Sequence, residues 1–303
     1  MKRLPLAGVF LLLLGIVFHR EAASQSSLTR QIAPGVWFRA AEPDKGIIAN
    51  TGWVEFRDWV LVIDANFPWG ARAVLEDLRK TTGKPIRFVF DTHYHGDHAF
   101  GNSVLVDAGA AIVCSEDCFA ESKAKNPASW ANNKDASKLG APTDRLEHPQ
   151  LAFRDGMVFD DGAQRVELVK MGPGHTKGDA VAWLPKQRIL FTGDLCVNRP
   201  GNNIADVDAD PDGWVRALDR LLERDVAILI PGHGAQGTKD AIAGQRAYLA
   251  DLIQQVRAGI SRGATAGELE GRLTFAQHKP WGLDEARNKV SIRAVHAKLS
   301  RRP

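Results

Sequence analysis

Short apolar runs that stop at or just before an acidic residue or a histidine recur along this chain. Val60-Leu61-Val62-Ile63 ends at Asp64 and Arg87-Phe88-Val89-Phe90 at Asp91. Residues 188–191 and 226–230 run out just before Asp194 and His233. Runs this short, apolar and rich in β-branched or aromatic residues, read as buried strands. Between the first two, Val74, Leu75 and Leu78 fall at helical spacing. Between the last two, Trp214, Leu218, Leu221 and Leu222 form an apolar helical face behind Asp210-Pro211, an N-cap followed by proline in the first turn. Strand, helix and strand thus occur twice, a faint internal duplication that predicts two βα units in an α/β protein.

Past His233, Ile242, Gln245, Leu249, Leu252, Ile253 and Val256 mark a long amphipathic helix expected to cover a sheet. Thr265 and Glu268 form a capping box for another helix, Pro280 marks a break, and a last helix runs through Val290 and Val295. His278 and His296 are expected on its surface, and His19 and His148 carry no functional reading. Residues 114–148 are polar with little periodicity, which predicts a mobile loop, either a lid or a solvated connection. Its Trp130 would either cover the site or anchor the loop to the core.

The chemistry concentrates in Thr92-His93-Tyr94-His95-Gly96-Asp97-His98, three imidazoles and a carboxylate in seven residues. Residues two apart share no helix face but do share one side of an extended segment, so His93 and His95 can point together. The run follows a predicted strand, and open α/β sheets place ligands beyond the carboxyl ends of their strands. Imidazole with carboxylate suits zinc first, with iron and manganese also compatible. Further candidates stand beside glycines: His175 in Gly174-His175-Thr176-Lys177-Gly178-Asp179, Asp194 after Gly193, and His233 between Gly232 and Gly234. Glycine allows the sharp turns and close approach that a crowded centre needs. No Gly-x-Ser-x-Gly elbow accompanies them, so nothing suggests a serine hydrolase.

The histidine-rich run followed by isolated His, Asp and His resembles the metallo-β-lactamase-fold superfamily, over residues 32–233. The resemblance implies a four-layer αβ/βα sandwich, which two βα halves packed sheet to sheet would also give. It implies that His93, His95 and His175 hold one metal, that Asp97, His98 and His233 hold a second, and that Asp194 bridges them. Asp64 matches the family's first motif aspartate, which orders the ligand loop. Many zinc β-lactamases of the family carry Cys or Ser where this chain has Asp194. At that position the chain looks instead like the thioester hydrolases, lactonases and phosphodiesterases of the same fold. Arg199 and Asn203 lie where the family often recognises anionic groups, although surface-residue patterns favour an ordinary loop Arg and Asn.

Two Zn2+ ions sharing a water would lower its pKa and supply hydroxide, with Asp97 orienting it as well as binding metal. The expectation is a hydrolase for a small ester, thioester, lactone or lactam. A β-lactamase proper, an iron-dependent persulfide dioxygenase and a non-catalytic metal carrier are the alternatives.

The chain has 303 residues, 44% hydrophobic and 25% charged, enough for a sizeable core. Lys2 and Arg3 precede an apolar stretch at 4–18, and Ala22-Ala23-Ser24 follows. This pattern predicts a signal peptide over 1–24, with 25–303 forming one domain that includes the helices from about 237. The stretch is shorter than the roughly 20 residues of a membrane span, so a membrane enters only if it stays uncleaved. The expected location is periplasmic or secreted. Without residues 1–24 the formal charge would fall from +3 to about +1, and no basic stripe with interleaved aromatics points to nucleic acid. The expected partner is therefore a small-molecule substrate. Cys114, Cys118 and Cys196 are odd in number. Cys114 and Cys118 would either bridge or pack as small buried residues, and Cys196 would face either the site or the core.

Overall fold

The computed structural model describes residues 28–135, 143–199 and 202–301, so the predicted signal segment 1–24 lies outside the described residues. Seven strands, β1 (Thr29–Ala33), β2 (Val36–Arg39), β3 (Thr51–Glu55), β4 (Val60–Ile63), β5 (Ile86–Phe90), β6 (Ala111–Ser115) and β7 (Leu151–Phe153), form one sheet in that order. The first four pair antiparallel and the last four parallel. A second sheet holds β8 (Gly156–Asp160), β9 (Arg165–Lys170), β10 (Ala180–Leu184), β11 (Ile189–Phe191) and β12 (Ile228–Ile230), with only β11 and β12 parallel.

Alternation along the strands builds the layers, because successive side chains point to opposite faces. Leu61 and Ile63 face the second sheet and pack with Phe90, Ala182, Ile189, Phe191 and Ile230. Their neighbours Val60 and Val62 face the other way, onto Val74 and Leu78 of α1 (Pro68–Thr81) and Leu105 of a short helix. In the second sheet Val181, Trp183, Leu190 and Leu229 pack against Trp214, Leu218 and Leu221 of the next long helix. A strand buried on both faces needs a continuous apolar run, which is why Val60-Leu61-Val62-Ile63 shows no alternation. Helices, sheet, sheet and helices give the αβ/βα sandwich that the sequence predicted.

The helices are α1, α2 (Gly96–Ala99), α3 (Asn102–Asp107), α4 (Glu116–Asp135), α5 (Pro211–Leu222), α6 (Lys239–Ser261), α7 (Ala266–Arg272) and α8 (Glu285–Ser300). The side chain of Asp210 caps α5 by accepting from Gly213 N, and the Thr265–Glu268 capping box opens α7. Leu249, Leu252 and Val256 bury α6 against α5 and the second sheet. Among the described residues no helix is long and apolar enough to cross a membrane.

The expected loop at 114–148 is corrected: its first part is α4. The helix turns inward a stripe at helical spacing, but of Cys118, Glu121, Ser122 and Asn126 rather than aliphatic residues. Glu121 accepts from Gly178 N at 3.0 Å, Ser122 bonds His148 Nδ1 at 3.0 Å, and Asn126 Nδ2 donates to Ser122 Oγ at 3.3 Å. Hydrophobic periodicity is blind to such a face. Trp130 packs edge-on against Phe100 at 5.2 Å and so anchors the helix. Residues 136–142 lie outside the described residues. His278 and His296 are likewise not simply exposed: both are half-buried and bonded, to Asp251 Oδ2 at 2.7 Å and to Ala264 O at 3.1 Å. All three cysteines are free and buried, Cys196 within the core of the second half.

Candidate metal centre

Four loops, each leaving the carboxyl end of a strand or a turn beside one, bring the predicted ligands to one edge of the sandwich. The loop after β5 carries His93, His95, Asp97 and His98. Asp194 sits in a short 3-10 turn after β11, and His233 follows β12. His175 comes from the turn between β9 and β10. His93, His95 and His175 offer ligand atoms within 4.8 Å of one another, as do Asp97, His98 and His233. Asp194 stands between the two trios, its Oδ1 3.3 Å from His98 Nε2 and 3.1 Å from His233 Nε2, its Oδ2 3.7 Å from His175 Nε2. All seven predicted ligands converge.

Several imidazoles are oriented through the nitrogen that faces away from the centre. The Thr92 hydroxyl donates to Asp64 Oδ2 at 3.0 Å, so it accepts from His93 Nδ1–H at 3.1 Å and leaves the His93 Nε2 lone pair for the centre. His98 Nδ1 donates to Asp64 Oδ2 at 2.8 Å, and His233 Nδ1 to Ile48 O at 3.0 Å. His95 turns Nδ1 toward His175 Nε2 and Nε2 toward Asp206 Oδ2, 3.5 Å away. Such outer partners fix the tautomer and ring direction of metal-binding histidines. Among the described residues His93 Nε2 and His98 Nε2 are buried without a well-formed hydrogen bond, and Asp194 Oδ1 has only the imidazole nitrogens of His233 and His98 near it, 3.1 and 3.3 Å away. Buried polar atoms are seldom left so, and a divalent cation bound here would satisfy them. The residues therefore fit a metal pair.

Each ligand loop also has its own strap. Asp64, at φ 62°, accepts from Thr92 N at 2.9 Å as well as from His98, as expected of a residue that orders the loop. Asp179 accepts from Thr176 N and Oγ1 and closes the His175 turn. Gln245 of α6 bridges Leu195 O and Val197 N behind Asp194, and Trp214 Nε1 donates to the same Leu195 O at 2.8 Å. Asn50 donates to Pro231 O and Gly234 O on either side of His233. Two glycines are required by space: a Cβ at Gly232 would lie 2.1 Å from Asp194 Oδ1, and one at Gly193 2.2 Å from Thr92 Oγ1. Sequence reading missed Asn50, Asp206 and the strapping role of Gln245. Only Gln245 left a signal, an amide within an apolar helical stripe.

Electrostatics divide the centre. Burial, reinforced by the neighbouring histidines, pushes His93 well below the usual imidazole range, and burial with His95 pushes His175 down to about 4. Burial would also lower His98 and His233, but the nearby carboxylates win. Asp64, Asp97 and Asp194 raise His98, and Asp194 and Asp97 raise His233 to about 9. Against burial, His233 and His98 in turn hold Asp194 well below the ordinary carboxylate range. The Asp97 and His95 side chains are 24% and 19% exposed, whereas those of His98 and His175 are fully covered, so the centre opens to solvent on the Asp97 and His95 side. Arg199 and Asn203 lie outside the two trios, half-buried and exposed respectively, on the chain that leaves Asp194.

A sandwich of this kind, with an imidazole and carboxylate centre open on one side where its loops meet, defines the class of metal-dependent hydrolases. Residues 45–233 match the metallo-beta-lactamase superfamily, and the chain belongs to that family. A metallo-beta-lactamase type 2 of Bacillus sp. (strain 170) is 27% identical over 205 residues, 66% of this chain and 70% of that protein. The linear primary-alkylsulfatase of Pseudomonas sp. (strain ATCC 19151) is 21% identical over 245 residues, 69% of this chain and 46% of its own length. The solved structure of the stereoselective inverting sec-alkylsulfatase Pisa1 from Pseudomonas sp. superposes with TM-score 0.72 at 18% identity, over 89% of this chain and 50% of that one. The chain thus spans about half the length of the alkylsulfatases it matches.

Proposed function

We propose that the protein is an exported dinuclear zinc hydrolase that cleaves a small ester, thioester, lactone or lactam. The observation that carries this reading is the pair of candidate ligand trios joined through Asp194, with buried ligand atoms turned inward. In the reading, His93, His95 and His175 hold one ion, Asp97, His98 and His233 the other, and Asp194 both. When bound, such a pair supplies Lewis acidity, acidifying a water and stabilising charge that develops on the substrate. Asp97 is the partly exposed carboxylate of the set, its Oδ2 held 3.2 Å from His233 Nε2. From there it would orient the attacking water as well as bind metal. The buried ligands keep bulk water away from all but this open side. A closed sphere would suit a structural metal, whereas an accessible position suits catalysis.

A second reading is supported by one observation. The likeness to the sec-alkylsulfatase extends over 89% of this chain, beyond the span matched by the family, so a sulfate ester joins the candidate substrates. Asp194 in place of Cys or Ser weighs against a β-lactam substrate.

The test begins with metal. Protein isolated without added metal is expected to carry two zinc ions per chain by elemental mass spectrometry. One iron per chain, with oxygen uptake on a persulfide, would overturn the zinc reading. The zinc enzyme would then be tried on nitrocefin, a thioester, a lactone, a phosphodiester and a primary alkyl sulfate. Hydrolysis of none of them would leave the metal carrier in its place. Export rests on residues 1–24, and N-terminal sequencing of protein from the periplasm is expected to start near residue 25.

A further inference from the structure

The loops that carry His93, His95 and His175 are joined a second time, outside the centre, by a row of charged and polar groups on α4 and the segment before α5. Two buried side chains of the first half hold Gly178, in the turn that carries His175. The Ser115 hydroxyl donates to Gly178 O at 2.6 Å, and Glu121 Oε2 accepts from Gly178 N at 3.0 Å. One turn further along α4, Lys125 Nζ donates to Glu121 Oε1 at 2.9 Å and lies 2.6 Å from Asp208 Oδ1. The same ammonium sits 4.8 Å from the centre of the Tyr94 ring, and the Tyr94 hydroxyl donates to Asp208 Oδ2. Tyr94 stands between His93 and His95, so the row runs unbroken from the turn of the third ligand to the loop of the first two. A branch reaches His95 itself: Asp208 N donates to Asp206 Oδ1 at 3.0 Å, and Asp206 Oδ2 faces His95 Nε2.

Lys125 is the member on which this row depends. The side chains of Glu121 and Asp208 are only 8% and 15% exposed, and Lys125 is the cation they share. Burial would lower the Lys125 ammonium, but Asp208 and Glu121 hold it above its usual range. Two covered carboxylates stay together only while a cation lies between them. Removing it leaves two uncompensated charges that repel, a larger change than the loss of an exposed pair. The second trio is braced by other groups, since His98 and His233 take their outer partners from Asp64 and from Ile48 O.

We propose that Lys125 is a positioning residue for the first trio: through Glu121 and Asp208 it holds the His175 turn and the loop of His93 and His95 at the separation that one metal ion requires. The metal in this statement rests on the dinuclear reading; the hold on the two loops does not. The test separates the trios. A His233→Ala background leaves the first trio intact and a His95→Ala background the second, with zinc affinity read in each by competition with a chelating dye. Lys125→Ala is expected to weaken zinc binding about tenfold in the first background and to leave it unchanged in the second. Lys125→Arg, which can still span both carboxylates, should recover most of the loss. Lys123→Ala, which removes an exposed charge from the same helix, should cause none. A second readout needs no metal: with Lys125→Ala in the otherwise unaltered, metal-free protein, the Gly178 amide is expected to exchange with solvent about tenfold faster by NMR, while the amides of β11 keep their rates. An unmoved affinity in the first background, an equal loss in both, or an equal loss with Lys123→Ala would overturn the proposal. So would a Gly178 amide that is unmoved, or that speeds up only together with β11. If neither background binds zinc, the dinuclear reading fails, and the Gly178 amide still decides whether Lys125 holds the loops.

Discussion

In the first sheet β4 and β5 run parallel with α1 between them; in the second, β11 and β12 run parallel with α5 between them. Both units release ligands beyond the carboxyl ends of their strands, but they distribute them differently. The first packs four candidate ligands into one loop, ordered by a single carboxylate, Asp64, that bonds both Thr92 and His98. The second half of the molecule supplies His175, Asp194 and His233, each from its own turn; Asp179 of the same turn holds His175, whereas Asp194 and His233 are held by straps from elsewhere in the fold. A compact loop can be ordered locally. Dispersed ligands depend on packing, because nothing near them in sequence fixes where they meet.

The sharpest way to break this comparison is at the residue the two halves share. Asp194→Ala is expected to lower turnover on the order of a thousandfold or more and to reduce bound metal at both trios, read by elemental mass spectrometry. His95→Ala should cut activity as deeply while sparing the Asp97, His98 and His233 trio. Full activity with two metals in both variants would refute the joined centre.

Packing comes next. Trp214 is fully buried and lies 5.3 Å from the His175 ring, whereas Leu78 of α1 packs away from the ligands. Trp214→Ala and Leu78→Ala should each cost about 2–5 kcal/mol in urea unfolding. Only Trp214→Ala should also weaken zinc binding in the protein that remains folded. Equal zinc affinity in the two variants would show that the second half does not depend on its helix.

A smaller effect tests the local ordering of the first loop. Asp64→Asn is expected to lower metal affinity about 10- to 100-fold, measured by competition with a chelating dye, with the fold retained by circular dichroism. An unchanged affinity would remove Asp64 from its ordering role.

The smallest effect is one of pH. Burial raises the Asp179 carboxyl to about 7 from 3.8, against the hydrogen bonds from Thr176 and the His175 backbone. Since the folded protein keeps a proton that the unfolded chain has released, this group favours folding most below about pH 4, and its contribution is lost as pH rises to about 7. In metal-free protein Asp179→Asn should flatten the fall in stability across that window relative to wild type. Urea midpoints at pH 5 and pH 7.5 would show it, and parallel profiles for the two proteins would sink the assignment.

How much of this was legible depended on whether the signal was local. The four strands around the two units, the caps at Asp210 and Thr265, and all seven candidate ligands could be read directly, since each is written in adjacent residues or at helical spacing. The antiparallel strands β8 to β10 are not legible in this way, and α4 reads as a loop because its inward stripe is Cys118, Glu121, Ser122 and Asn126. Such a stripe is held by hydrogen bonds to Gly178 and His148, partners 57 and 26 residues away, and no periodicity of hydrophobicity reports them.

By itself the sequence named the candidate ligands and the class of fold. Imidazoles at alternate positions after an apolar run have few other uses, and apolar period sets which face each strand and helix must bury. The tertiary structure alone decided how the candidate ligands are aimed: that Asn50, Gln245 and Asp206 strap or face loops far from them in sequence. The physical reason is the range of each interaction. Burial and backbone preference act on neighbours along the chain, whereas a hydrogen bond between distant loops exists only once packing has brought its donor and acceptor together.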